Sequence, residues 1–245
     1  MPAAYAAHGH SSTACCNIPP VVSHDYEPKG SYHDLGGLKT LIYDIFGYFP
    51  QTLQGSDILS ASGGYKVFIP DWFKGNPCPI EWYPPDSKEK QAKLGAWFGK
   101  HPAQGVAAAL PAYVEAVQAV NPAIKSWGIL GYCWGGKVVS LVTSTSTLNS
   151  SNPFSIAAVA HPAMVDPADA QGISVPYLLI ASKDEDVDTI QQFERNLQAP
   201  HRVVTFDDQI HGFMAARADL SDPHVREQYA RGYETVLSFF SNQWA

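Results

Sequence analysis

The chain has 245 residues, of which 45% are hydrophobic, and a formal net charge of −7. That length accommodates one large core and would cramp two, so a single domain over 1–245 is expected. Its 16 lysines and arginines are scattered singly, and no apolar stretch approaches the ~20 residues that span a bilayer, so neither nucleic acid nor a membrane is an expected partner.

Met1 to Thr13 shows no basic segment running into an apolar one, and a cytoplasmic protein is expected. Cysteines stand at 15, 16, 78 and 133 without zinc-ligand spacing. Neither a disulfide framework nor a metal is therefore expected.

Residues 1–36 are rich in Pro, Gly, Ser and His and lack periodicity, which predicts an irregular arm over the domain surface. The apolar run Leu41 to Phe46 predicts a buried strand, followed by helical spacing and a second strand from Tyr65 to Ile69. Helices are predicted over Ser87–Phe98 and Gln104–Val120, with Pro111 kinking or breaking the latter. Then follow strand Ser126–Leu130, helix Gly135–Thr143, strands Ile156–Ala160 and Tyr177–Ala181, helix Val187–Leu197, strand Arg202–Phe206 and helix His224–Phe240. Short apolar strands alternating with amphipathic helices predict an α/β fold with a mostly parallel sheet covered on both faces. In such sheets sites form at the carboxyl ends of strands.

Gly131-Tyr132-Cys133-Trp134-Gly135 fits the nucleophile-elbow pattern G-x-Nu-x-G between a predicted strand and a predicted helix. The turn strains the nucleophile's backbone and admits no side chain at the flanking positions. The following helix aims its N-terminus at the sulfur, where negative charge is favoured. A small cysteine packed in a glycine-rich turn is the alternative reading.

His211 follows the last predicted strand, where the order nucleophile, acid, histidine places a general base; a surface loop histidine is the alternative. The acid belongs after the strand ending at Ala181, where Asp184, Glu185, Asp186 and Asp188 offer carboxylates. Asp184 is the choice, three residues past the strand, with Asp186 in reserve because it also suits a helix cap. The backbone N–H groups of Ile45 and Trp134 are the expected oxyanion donors.

Together, Tyr43-Asp44-Ile45-Phe46-Gly47, the Cys133 elbow, the Asp184 loop and His211-Gly212-Phe213 resemble the dienelactone hydrolase family, within the α/β-hydrolase fold. Ile18-Pro19-Pro20, Tyr26 to Gly30 and Trp82 to Asp86 look like its fungal members. The resemblance implies a Cys133-Asp184-His211 triad, no cofactor or metal, and a small ester or lactone as substrate; a monomer or a homodimer is expected. It also implies that Asp44 modulates the thiol; a strand-end carboxylate held by backbone N–H groups is the alternative. Trp82, Tyr83, Phe213 and Arg217 are candidate substrate contacts, although Arg217 stands in a different register from the family's arginine. About ten residues, one strand and its turn, are missing before Leu41 relative to the family, so the sheet is expected to lack an N-terminal edge strand. A lactone isomerase or cyclase, or an inactive scaffold, are the competing functions.

Overall fold

The computed structural model describes residues 20–21, 26–29, 41–144 and 152–243. Cys15, Cys16, Thr40 and most of the 1–36 arm lie outside the described residues. The elements are β1 (Leu41–Ile42), α1 (Pro50–Gly63), α2 (Lys88–Lys100), α3 (Ala103–Val120), β2 (Gly128–Tyr132), α4 (Trp134–Thr143), β3 (Ile156–Ala160), β4 (Tyr177–Ser182), α5 (Val187–Asn196), β5 (His201–Phe206) and α6 (Pro223–Gln243).

The strands form one sheet in the order β1-β2-β3-β4-β5, every pairing parallel. Period-two alternation divides its side chains between two cores. Ile129, Ala157, Val159, Tyr177 and Leu179 pack with residues of α3, α4 and α5 such as Val114, Val138, Val142 and Phe193. Leu130, Tyr132, Ile156, Ala158, Leu178 and Ile180 pack with Leu59 of α1 and Tyr229, Tyr233 and Val236 of α6. Buried on both faces, β3 and β4 are wholly apolar apart from Tyr177 and Ser182, as a doubly covered parallel sheet requires.

Of the two alternatives at Pro111 the break is ruled out, and one further expectation is corrected. Pro111 lies inside α3 without ending it. The missing backbone bond costs about 3 kcal/mol, whereas burying Leu110, Tyr113, Val114 and Val117 contributes about 1.5–3 kcal/mol for each apolar side chain, and burial wins. Tyr65 to Ile69 forms no strand. β1 pairs with β2 through Leu41↔Leu130 and Ile42↔Gly131 alone among the described residues, so it offers little edge for a further strand to join. Instead, a cavity of about 330 Å³ lies between Tyr65, Val67 and Phe68 on one side and Trp127, Gly128 and Leu130 on the other. It sits toward the amino end of β2, away from the end that carries Cys133.

Candidate active site

β2 ends at Tyr132, and Cys133 turns the chain into α4 with φ 52° and ψ −114°. A non-glycine residue with positive φ is uncommon, and here the strain is imposed from both sides. A Cβ on Gly131 would stand 2.3 Å from Gly135 O, and one on Gly135 would stand 2.3 Å from Ile42 O. Backbone lies against backbone at both places, so only glycine fits. The Cys133 N–H donates to Ala160 O at 3.2 Å, and Cys133 O accepts from Gly136 N at 2.9 Å and Ala163 N at 3.0 Å. The elbow is thus tied to the residues that end β3, and Cys133 has no exposed surface.

His211 lies in the loop after β5, fully buried. Its Nδ1 is 2.7 Å from Glu185 Oε1, and the backbone N–H of Ser182 donates to Glu185 Oε2. Asp184 does something else: its Oδ2 accepts the backbone N–H of His211 at 2.8 Å. The expectation that Asp184 would hold the imidazole is therefore corrected in favour of Glu185. A glutamate one residue later in the loop has one more methylene and reaches the ring, while the shorter aspartate reaches only the main chain. Asp186, the reserve, caps α5 by accepting from Thr189 N at 2.8 Å. The sequence signal for Glu185 was only its place among four carboxylates, which does not distinguish a ring contact from a backbone contact.

Asp44 follows β1 and is wholly buried. Its Oδ1 accepts from Phe46 N at 2.9 Å and its Oδ2 from Ala216 N at 3.2 Å, the backbone-held arrangement. Burial pushes its pKa up, opposed by the Arg217 guanidinium, by those two N–H groups and by His211. The turn that begins at Asp44 also spends the Gly47 N–H on Asp44 O at 3.2 Å. Phe46 and Gly47 thereby serve the turn, and neither of these bonds uses the Ile45 N–H. Trp134 is the first residue of α4, where an N–H has no acceptor within the helix.

Arg217 is 1% exposed, with Cζ 5.3 Å from the Phe46 ring centroid and 5.6 Å from that of Tyr83. A delocalised guanidinium tolerates such aromatic walls where a lysine would not. Arg217 and Tyr83 therefore stand together near Asp44. Trp82 is only partly buried, in a short 3-10 helix. Phe213, expected at the substrate, instead packs 4.9 Å from Phe206 in the core on the α6 side. That is where the turn at Gly212, with φ +94°, directs it. His161, directly after β3, also enters this group, with its ring centroid 5.2 Å from that of His211. The arm touches the same loop, since Val21 N donates to Ala216 O at 2.8 Å.

A parallel sheet covered on both faces, a strained residue between β2 and α4, and a buried carboxylate-histidine pair in the later loops together define an α/β-hydrolase fold. The dienelactone hydrolase family model matches residues 40–244, and the chain belongs to that family. It is 38% identical over 205 residues to an AIM2 family protein of Schizosaccharomyces pombe, covering 81% of this chain and 80% of that one. It is 25% identical over 231 residues to the hydrolase pyvD of Aspergillus violaceofuscus, covering 92% and 86%. Among solved structures, the dienelactone hydrolase of Anabaena variabilis superposes with a TM-score of 0.59 at 13% identity, covering 85% of this chain and 88% of that one. No described helix is long and apolar enough to cross a membrane.

Proposed function

We propose that this member of a hydrolase family cleaves a small ester or lactone through a covalent thioester on Cys133, with His211 as base and Glu185 as the carboxylate that orients it. The observation that carries this reading is the 2.7 Å contact between His211 Nδ1 and Glu185 Oε1. A carboxylate on Nδ1 keeps the proton there and leaves Nε2 as the basic nitrogen.

In this reading Nε2 takes the Cys133 proton, and the thiolate attacks the acyl carbon. The N–H groups of Ile45 and Trp134 stabilise the oxyanion as it forms. Collapse expels the alkoxide, which receives the proton from His211. A water then attacks the thioester, with His211 again accepting a proton, and the acid is released as the thiol re-forms. Asp44 keeps its proposed influence on the thiol through charge: its carboxyl acts on His211, and its own ionisation is opposed by burial.

The reading is tested with p-nitrophenyl acetate and an unsaturated lactone, comparing the natural protein with Cys133→Ala. Turnover should disappear in the variant, and full retention would sink the proposal. The complete burial of Cys133 and His211 also suits isomerisation or cyclisation, which must keep water out. Reaction in ¹⁸O-labelled water separates the two, because hydrolysis places the label in the carboxylate product and isomerisation does not.

A further inference from the structure

His161 directly follows β3 and precedes Pro162. Its position is built with some care. The backbone has φ +39°, a region that a non-glycine residue enters at an energetic cost. Its N–H is pinned to Ile180 O at 2.6 Å. If β3 continued, residue 161 would point with Val159 toward α4. The left-handed turn instead delivers the imidazole among Tyr132 and Phe213, which belong to the α6 side. The ring lies 5.9 Å from Tyr132 at 26°, 5.8 Å from Phe213 at 64°, and 5.2 Å from His211 at 65°.

The ring is wholly buried, and neither Nδ1 nor Nε2 has a hydrogen-bond partner in another described residue. A phenyl group would fill this space without leaving two polar atoms unsatisfied. A histidine at this place therefore asks for an electrostatic reason. The titratable or charged groups around it are Tyr132 from β2 and His211 and Arg217 from the loop after β5, with Asp44 acting in turn on His211 and Tyr132. Burial first, then the charges of His211 and Arg217, hold the His161 pKa far below the ordinary histidine value. Burial, Arg217 and a second imidazole thus all disfavour the protonated form of His161.

We propose that His161 is a positioning residue: its neutral imidazole backs His211 edge to face and stabilises the imidazolium that His211 becomes on taking the Cys133 proton. This inference rests on the Cys133–His211 reading above. The dipole of a neutral imidazole can favour a cation beside it in a low-dielectric interior, whereas a second imidazolium would oppose it. Removing the two nitrogens while keeping a ring therefore separates this role from packing.

The test uses His161→Phe, with His161→Asn as the polar rescue, and follows iodoacetamide alkylation of Cys133 by mass spectrometry from pH 5 to 9. In His161→Phe the acid limb should move up by about half a unit to one unit, making Cys133 roughly three- to tenfold less reactive at pH 6. His161→Asn should recover part of the loss. A Phe variant with an unchanged limb overturns the proposal, even if its thermal stability differs. Should the variants not fold, histidine ¹³Cε1 spectra of the natural protein decide. A His161 resonance that stays neutral but shifts at the midpoint of His211 supports the coupling, and its indifference at that midpoint overturns it. The spectra do not depend on catalysis, so an inert Cys133 would remove the proposed function and still leave the coupling measurable.

Discussion

Glu185 Oε1 stands 2.7 Å from His211 Nδ1, while the adjacent Asp184 carboxylate accepts the backbone N–H of the same histidine at 2.8 Å. Two neighbouring acids thus hold one residue by different groups, and their substitutions should differ in kind. Glu185→Gln leaves the ring without a carboxylate to fix its tautomer and balance its charge, and kcat should fall about 10²–10⁴-fold. Asp184→Asn should lower kcat less than about tenfold while costing stability on the order of 1 kcal/mol. Ester hydrolysis and urea unfolding of both variants check this, and the reverse order of kcat losses would return the acid's role to Asp184.

The elbow glycines offer a prediction about stability. In Gly135→Ala the new methyl meets Ile42 O, and in Gly131→Ala it meets Gly135 O, each at 2.3 Å. Main chain must move in both cases, so each variant should lose more than about 3 kcal/mol or fail to accumulate as folded protein. Gly95→Ala, where a Cβ meets nothing within 4 Å, serves as the control and should unfold at or above the natural midpoint.

Asp44 gives the stability a pH dependence whose sign can be worked out. Burial raises its folded pKa above the ordinary value of 3.8. The stability associated with its protonated form is fully present below that ordinary value and is lost as pH rises through the folded pKa. Asp44→Asn carries no such loss, so the natural protein should fall behind the variant progressively above pH 4, by at most about 1.4 kcal/mol per pH unit. Urea unfolding at successive pH values measures this, and a constant difference between the two proteins would contradict it.

Arg217 opposes that burial penalty. Replacing it with Met leaves Asp44 buried without a cation and should cost about 3 kcal/mol at pH 7. In an Asp44→Asn background the same replacement should cost markedly less, a coupling above about 1 kcal/mol in a double-mutant cycle. Additive losses would mean that Arg217 contributes through its contacts with Phe46 and Tyr83 alone.

How far the sequence was legible depended on how local each signal was. β3 runs from Ile156 to Ala160, as its unbroken apolar pattern predicted, because a strand buried on both faces leaves little choice of boundary. β1 stops at Ile42 although the apolar run continues to Phe46, since Asp44 bends the chain by accepting the N–H groups of Phe46 and Gly47. The elbow could be read because its glycines answer a local steric demand. The choice among Asp184, Glu185 and Asp186 could not, because it depends on where a separate loop sets His211. His161 was opaque for the same reason: its φ of +39° and its neighbours belong to the assembled sheet.

Covalent acylation of Cys133 is read from intact-protein mass spectrometry after rapid acid quenching of a reaction with a slowly deacylating p-nitrophenyl ester. The mass should increase by one acyl group, located by peptide analysis on Cys133, absent from Cys133→Ala and accumulating before steady-state product release. Steady turnover with no adduct on Cys133, or the same adduct in the alanine variant, would contradict it.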